Sequence, residues 1–93
     1  MGEIVRVRVR VSGVVQGVGF RYFARKAGTS FGLAGSVKNL PDGSVEVVAQ
    51  GEEQAVHGFL SELKVGPRYA SIERVDIRWE KPENDFRGFD YAF

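Results

Sequence analysis

Gly13-Val14-Val15-Gln16-Gly17-Val18-Gly19-Phe20-Arg21 is the stretch of this 93-residue chain whose residue types point most directly to chemistry. Three glycines fall within the eight residues from Ser12 to Gly19, between an alternating apolar segment and a helical pattern. Such a loop can turn several backbone N–H groups toward one point, and the helix start beyond it adds a partial positive charge, so the two form a seat for phosphate. Neither G-x-x-x-x-G-K-[ST] nor G-x-G-x-x-G is met, so the loop is not one of the nucleotide-binding loops those patterns mark. Spacing alone fits a plain strand-to-helix connection at least as well, with glycine relaxing tight dihedrals. Arg21 adds a second sign. In the first helical turn a cation opposes the dipole by roughly 0.3 to 1 kcal/mol. A bound anion reverses that sign, and a guanidinium fork matches phosphate oxygens; a side chain extended into solvent is the plain alternative.

Asn39 is a third candidate, although locally the residue before Leu40-Pro41-Asp42-Gly43 reads as an ordinary turn residue. His57 falls among the polar positions of a helical pattern with no Ser or carboxylate partner, and reads as a surface residue. The chain contains no cysteine and one histidine, which removes thiolate catalysis and disulfides and argues against a zinc site.

The elements that must position these residues follow from periodicity. Val5, Val7, Val9 and Val11 alternate with Arg6, Arg8 and Arg10, a strand with one face on the core and a solvated arginine row on the other. Phe20, Phe23, Ala24, Ala27 and Phe31 form the stripe of an amphipathic helix that exits through Gly28, Thr29, Ser30 and Gly32. Leu33 to Leu40 is a second strand, joined through Pro41-Asp42-Gly43 to a third that carries Val45, Val47 and Ala49 and breaks at Gly51. Ala55, Val56, Phe59, Leu60 and Leu63 mark a second helix within Glu52 to Lys64. Val75, Ile77 and Trp79 mark a fourth strand, a polar tail runs from Lys81 to Gly88, and Phe89, Tyr91 and Phe93 suggest a short last strand with its rings in the edge of the core.

Each strand has one apolar side, so both helices must cover one face of a mostly antiparallel sheet. Right-handed crossovers favour an α+β, ferredoxin-like βαββαβ sandwich with a short C-terminal strand, forming a single domain over residues 1–93. In that order the first two strands run parallel with the third between them. Their C-terminal ends then share one edge about 10 Å apart, which brings Asn39 to face the glycine loop across a gap that Arg21 and a phosphate would fill.

Composition excludes other classes. Thirteen Lys and Arg against twelve Asp and Glu give a net charge of +1, without the bulk basicity that drives non-specific binding to nucleic acid or anionic membranes. No run approaches the 18 apolar residues of a membrane span. The expectation is a cytoplasmic monomer with no nucleic-acid or membrane partner. RNA binding on the arginine row is the alternative the fold type allows, but that face offers Glu46, Val48 and Gln50 on the third strand and no ring for a base to stack on.

The motifs resemble those of the acylphosphatase family over nearly the whole chain. Gly13 through Arg21 meets the family pattern G-x-V-Q-G-V-x-F-R in full. Gly35, Val37, Lys38, Asn39, Gly43, Val45 and Gly51 meet the second pattern, with Ser36 standing where the family usually has Trp, Phe or Tyr. The resemblance implies hydrolysis of acyl phosphates to a carboxylate and inorganic phosphate, the latter as product or competitive inhibitor, without metal or organic cofactor. It implies that Arg21 binds phosphate, that Asn39 orients the attacking water, and that the backbone of Val15, Gln16, Gly17, Val18, Gly19 and Phe20 forms the cradle. The chemistry is consistent with this set. A loose phosphoryl transition state is served by positioning and electrostatics, and a weakly basic carboxylate leaves without a general acid. Two alternatives remain: a non-catalytic ferredoxin-like module that binds RNA or a regulatory anion, and a relative of the acylphosphatase-like domain found in larger carbamoyl-transferring maturation proteins.

Overall fold

A computed structural model describes residues 2–93. The first strand, β1 (Ile4–Val14), obeys the alternation of its sequence, with Val7, Val9 and Val11 fully buried. It is longer than the valine repeat, which predicted a loop from Ser12. A bulge at Ser12/Gly13 carries it on to Val14 against β4 (Ser71–Glu80). Gly13 sits at φ +124°, and a Cβ there would collide with the Ser71 carbonyl oxygen. Glycine alone lets the two strands close at that point. The loop that precedes α1 (Phe20–Ser30) is thereby shortened to Val15–Gly19.

The remaining elements are β2 (Ala34–Asn39), β3 (Val45–Glu52), α2 (Glu53–Val65) and β5 (Phe89–Tyr91). The sheet order is β4-β1-β3-β2-β5. β3 is antiparallel to both β1 and β2, so β1 and β2 run parallel with β3 between them as the crossover rule requires, and β5 joins β2 in parallel. Phe20, Ala24 and Ala27 of α1 and Val56, Phe59, Leu60 and Leu63 of α2 share one core with Val9, Val37, Val47 and Phe89.

Two expectations about the open face and the last strand are corrected. Arg6 is not solvated: it is only 4% exposed, because the segment after β4 folds back across the sheet. Arg6 donates from Nη1 and Nη2 to the two carboxylate oxygens of Asp85 at 2.8 and 3.0 Å, and its guanidinium lies 5.0 Å from the centre of the Phe86 ring. Gln50 fastens the same segment, donating to the Glu83 carbonyl at 2.7 Å and accepting from the Glu83 N–H at 3.0 Å. Val48, on this face, is buried as well. Phe93 is the second correction. Phe89 is buried and meets Phe59 edge-on with ring centres 5.5 Å apart, whereas Phe93 lies beyond β5 and is fully exposed. The alternation of rings stops being a strand signal once the chain leaves its neighbour β2.

Candidate active site

The C-terminal ends of β1 and β2 meet the start of α1 around a cavity of about 450 Å³. Its walls are Val15, Gly17, Gly19, Phe20, Arg21, Tyr22, Asn39, Tyr91 and Phe93. Arg21 and Asn39, 18 residues apart in the chain, therefore border one space. The loop forms here because Gly17 and Gly19 take φ of +75° and +79°, in the left-handed region that other residues avoid. Nothing lies within 4 Å of a Cβ built on either, so backbone conformation and not crowding demands glycine.

Gly19 is also the N-cap of α1. No side chain caps this helix and no acidic residue stands in its first turn, so the leading N–H groups and their partial positive charge have no anionic side chain to answer them. Arg21 adds a full charge at the same end. Among the described residues no carboxylate pairs with it, while its guanidinium carbon lies 5.8 Å from the centre of the Tyr91 ring. A half-buried guanidinium on an uncapped helix start is an electrostatic arrangement completed by an anion.

Gln16 and Val18 do not line the cavity. Val18 packs against the core. The Gln16 side chain instead crosses to the β2–β3 hairpin, donating from Nε2 to the carbonyls of Leu40 at 2.8 Å and Ser44 at 2.9 Å. The hairpin is closed by its own bonds, Leu40 N–H to Ser44 O at 2.8 Å and Gly43 N–H to Leu40 O at 3.1 Å, with Gly43 at φ +95° as the Pro-Asp-Gly turn requires. Asp42 accepts from the Ser44 N–H and hydroxyl and pairs with Arg10. Gln16 thus ties the glycine loop to the hairpin whose first strand ends at Asn39. The motif spacing marked Gln16 without disclosing this role, which needs the fold to bring residues 24 positions apart together.

Three walls were not identified as site residues from the sequence. Tyr22 lies off the apolar stripe of α1, and Tyr91 and Phe93 come from the far end of the chain. The position of Tyr22 beside Arg21 was the only local signal. His57 is remote from the cavity, exposed on α2, with its ring 5.4 Å from that of Trp79 on β4. The arginine row carries its own counter-charges: Arg8 pairs with Glu80 and Glu46, and Arg10 with Asp42. Among the described residues no group of three or more His, Asp or Glu could hold a metal ion, and no helix is long and apolar enough to cross a membrane.

A family model described as acylphosphatase matches residues 7–91. The chain belongs to the acylphosphatase family. An acylphosphatase of Roseiflexus sp. (strain RS-1) is 47% identical over 89 residues, covering 96% of each chain. The crystal structure of acylphosphatase from Bacillus subtilis superposes with a TM-score of 0.92 at 34% identity, over 96% of this chain and 99% of that one. The fold also matches part of a larger protein, HypF of T. kodakarensis, with a TM-score of 0.83 at 32% identity, where this chain covers 12% of that one. Full-length correspondence with small acylphosphatases makes this chain a hydrolase of acyl phosphates and sustains the family resemblance drawn from its two motifs.

Proposed function

We propose that this acylphosphatase works as a single domain over residues 1–93, holding the phosphate of its substrate in the 15–21 loop and placing the attacking water with Asn39. The observation that carries the proposal is the cavity shared by the uncapped start of α1, an Arg21 without a carboxylate partner, and Asn39. Backbone N–H groups of the loop and the Arg21 guanidinium would take the charge that spreads over the equatorial phosphate oxygens. Tyr91 restricts the guanidinium from one side. The Asn39 carboxamide has both a donor and an acceptor to orient water opposite the leaving carboxylate.

Bond formation between water and phosphorus and departure of the carboxylate yield two stable anions. In a loose transition state the attacking water bonds little to phosphorus and need not lose its proton before the P–O bond breaks; the proton ends on inorganic phosphate or in solvent. No nucleophilic side chain or metal enters the sequence of events. Tyr22 and Phe93 form the rim of the cavity beyond the phosphate seat, where the acyl group would emerge. The compartment this reading assigns is the cytosol.

The test is a panel of acetyl phosphate, benzoyl phosphate, phosphate monoesters and nucleotides, each with and without a chelator. Acyl phosphates alone should be hydrolysed at an appreciable rate, with inorganic phosphate competing and chelation leaving the rate unchanged. Equal turnover of monoesters, or loss of activity on chelation, would contradict the mechanism. RNA binding is disfavoured by the neutralised arginine row and by the segment that covers part of that face.

A further inference from the structure

The geometry points to Tyr91 as a positioning residue for Arg21, its ring fixing the guanidinium at the phosphate seat while the neighbouring Asp90 occupies Arg25. The inference rests on the role proposed above for Arg21. Arg21 and Arg25 stand one helical turn apart on α1, two like charges on neighbouring positions of one helix face. Their guanidinium carbons lie 5.8 and 5.2 Å from the centre of the Tyr91 ring, within the range at which an aromatic face attracts a cation. Beyond the ring their surroundings differ. Arg25 Nε lies 3.4 Å from Asp90 Oδ1, and the side chain borders an outer groove with Tyr22 and Lys26. Arg21 borders the cavity with Asn39. Among the described residues no carboxylate pairs with it, so the Tyr91 ring is the group that holds its guanidinium in place.

A ring positions a neighbour only if it is itself fixed. β5 pairs with β2 in parallel, with Tyr91 opposite Val37, two residues before Asn39 at the end of the same strand. The Gly35 N–H donates to the Gly88 carbonyl at 2.8 Å and the Ala92 N–H to the Val37 carbonyl at 2.9 Å, closing the pairing at both ends. Phe89, two residues earlier and therefore on the same face, is buried. It sits so close to α1 that a Cβ on Gly28 would run into its ring. The Asp90 carboxylate also accepts from the Tyr91 N–H at 2.8 Å, so the acid that holds Arg25 stiffens the backbone beneath the ring. Asn39 and Tyr91 thus hang on one support, and α1 brings Arg21 against both.

An arginine side chain without a fixing contact samples many rotamers. A loose guanidinium still attracts an anion through its charge, but it meets the transition state out of line, and misplacement is felt most in the chemical step. The ring should therefore matter more to turnover than to phosphate binding. Its attraction comes from the negative face of the π-system, which ring fluorines deplete while leaving the shape nearly unchanged. A side chain that only fills space does not respond to that change.

The experiment measures kcat and KM with benzoyl phosphate, and inhibition by inorganic phosphate, for Tyr91→Phe, Tyr91→Leu and phenylalanines carrying one, two and three ring fluorines at position 91. Tyr91→Phe keeps the ring and should stay within about twofold of the wild type. Tyr91→Leu should lower kcat about tenfold and weaken phosphate inhibition by no more than about threefold. The fluorinated series should lose kcat step by step, about fivefold by the third fluorine, with unchanged melting temperatures; this series keeps the test decisive if Tyr91→Leu fails to fold. Repeating it in an Arg25→Gln background should preserve the dependence. A flat fluorine series, a folded Tyr91→Leu that turns over as the wild type does, or a dependence that vanishes with Arg25→Gln would each overturn the inference. Normal turnover by Arg21→Ala would instead overturn the catalytic reading beneath it, whereas a crippled Arg21→Ala beside a flat fluorine series would remove the role of Tyr91 alone.

Discussion

Arg21 and Asn39 divide the work of the cavity in a way that mutation should separate. Arg21→Ala removes the only full positive charge that the described residues bring to the cavity walls, so phosphate affinity and turnover should both fall, turnover by about 100-fold or more, as for a lost transition-state donor. Inhibition by inorganic phosphate and kcat with benzoyl phosphate measure the two effects. Arg21→Ala with normal turnover would end the proposed mechanism. Asn39→Ala should lower kcat by a similar factor while phosphate still competes at nearly its original concentration, because the carboxamide acts on water and not on the bound anion. Both residues were legible in the sequence. Arg21 was conspicuous as a cation at the wrong end of a helix, and Asn39 gained meaning once the crossover rule put the ends of the first two strands at one edge.

At the scale of elements, the β2–β3 hairpin and the glycine loop act as one unit because Gln16 donates to both Leu40 and Ser44 carbonyls. Gln16→Ala leaves those carbonyls without that donor and frees the hairpin from the loop. We expect kcat to drop about tenfold or more with the chain still folded, and thermal unfolding to shift down by a few degrees, about 1 kcal/mol for a domain of this size. Steady-state kinetics beside a melting curve distinguish this from simple unfolding. The helices and the Pro-Asp-Gly turn were readable from the 3.6-residue stripes and turn chemistry. The extension of β1 past Ser12 was not, because a bulge breaks the period on which strand recognition depends.

Over the whole molecule, the 81–88 segment was least legible, since nothing in a polar run says where it will lie. Its anchor is the Arg6–Asp85 pair, and what buried Arg6 was a partner 79 residues away. Hydrogen bonding from Arg6 holds the Asp85 carboxyl below its usual range, and hydrogen bonding from Arg8 does the same for Glu80. Folded values below the unfolded ones mean that this stabilisation is complete above the ordinary carboxylate range near pH 4 and is lost as the pH falls through the folded values. Urea midpoints should therefore be level from neutral pH to about 5 and decline below about 4. Asp85→Asn should start lower at neutral pH and decline less steeply. Ser36 and Phe86 line one cleft beside this segment. The Gln16 bridge carries a further consequence at this scale. One carboxamide ties the mouth of the hairpin to the anion seat, so loosening of the turn on warming should pull the rate down before the core melts.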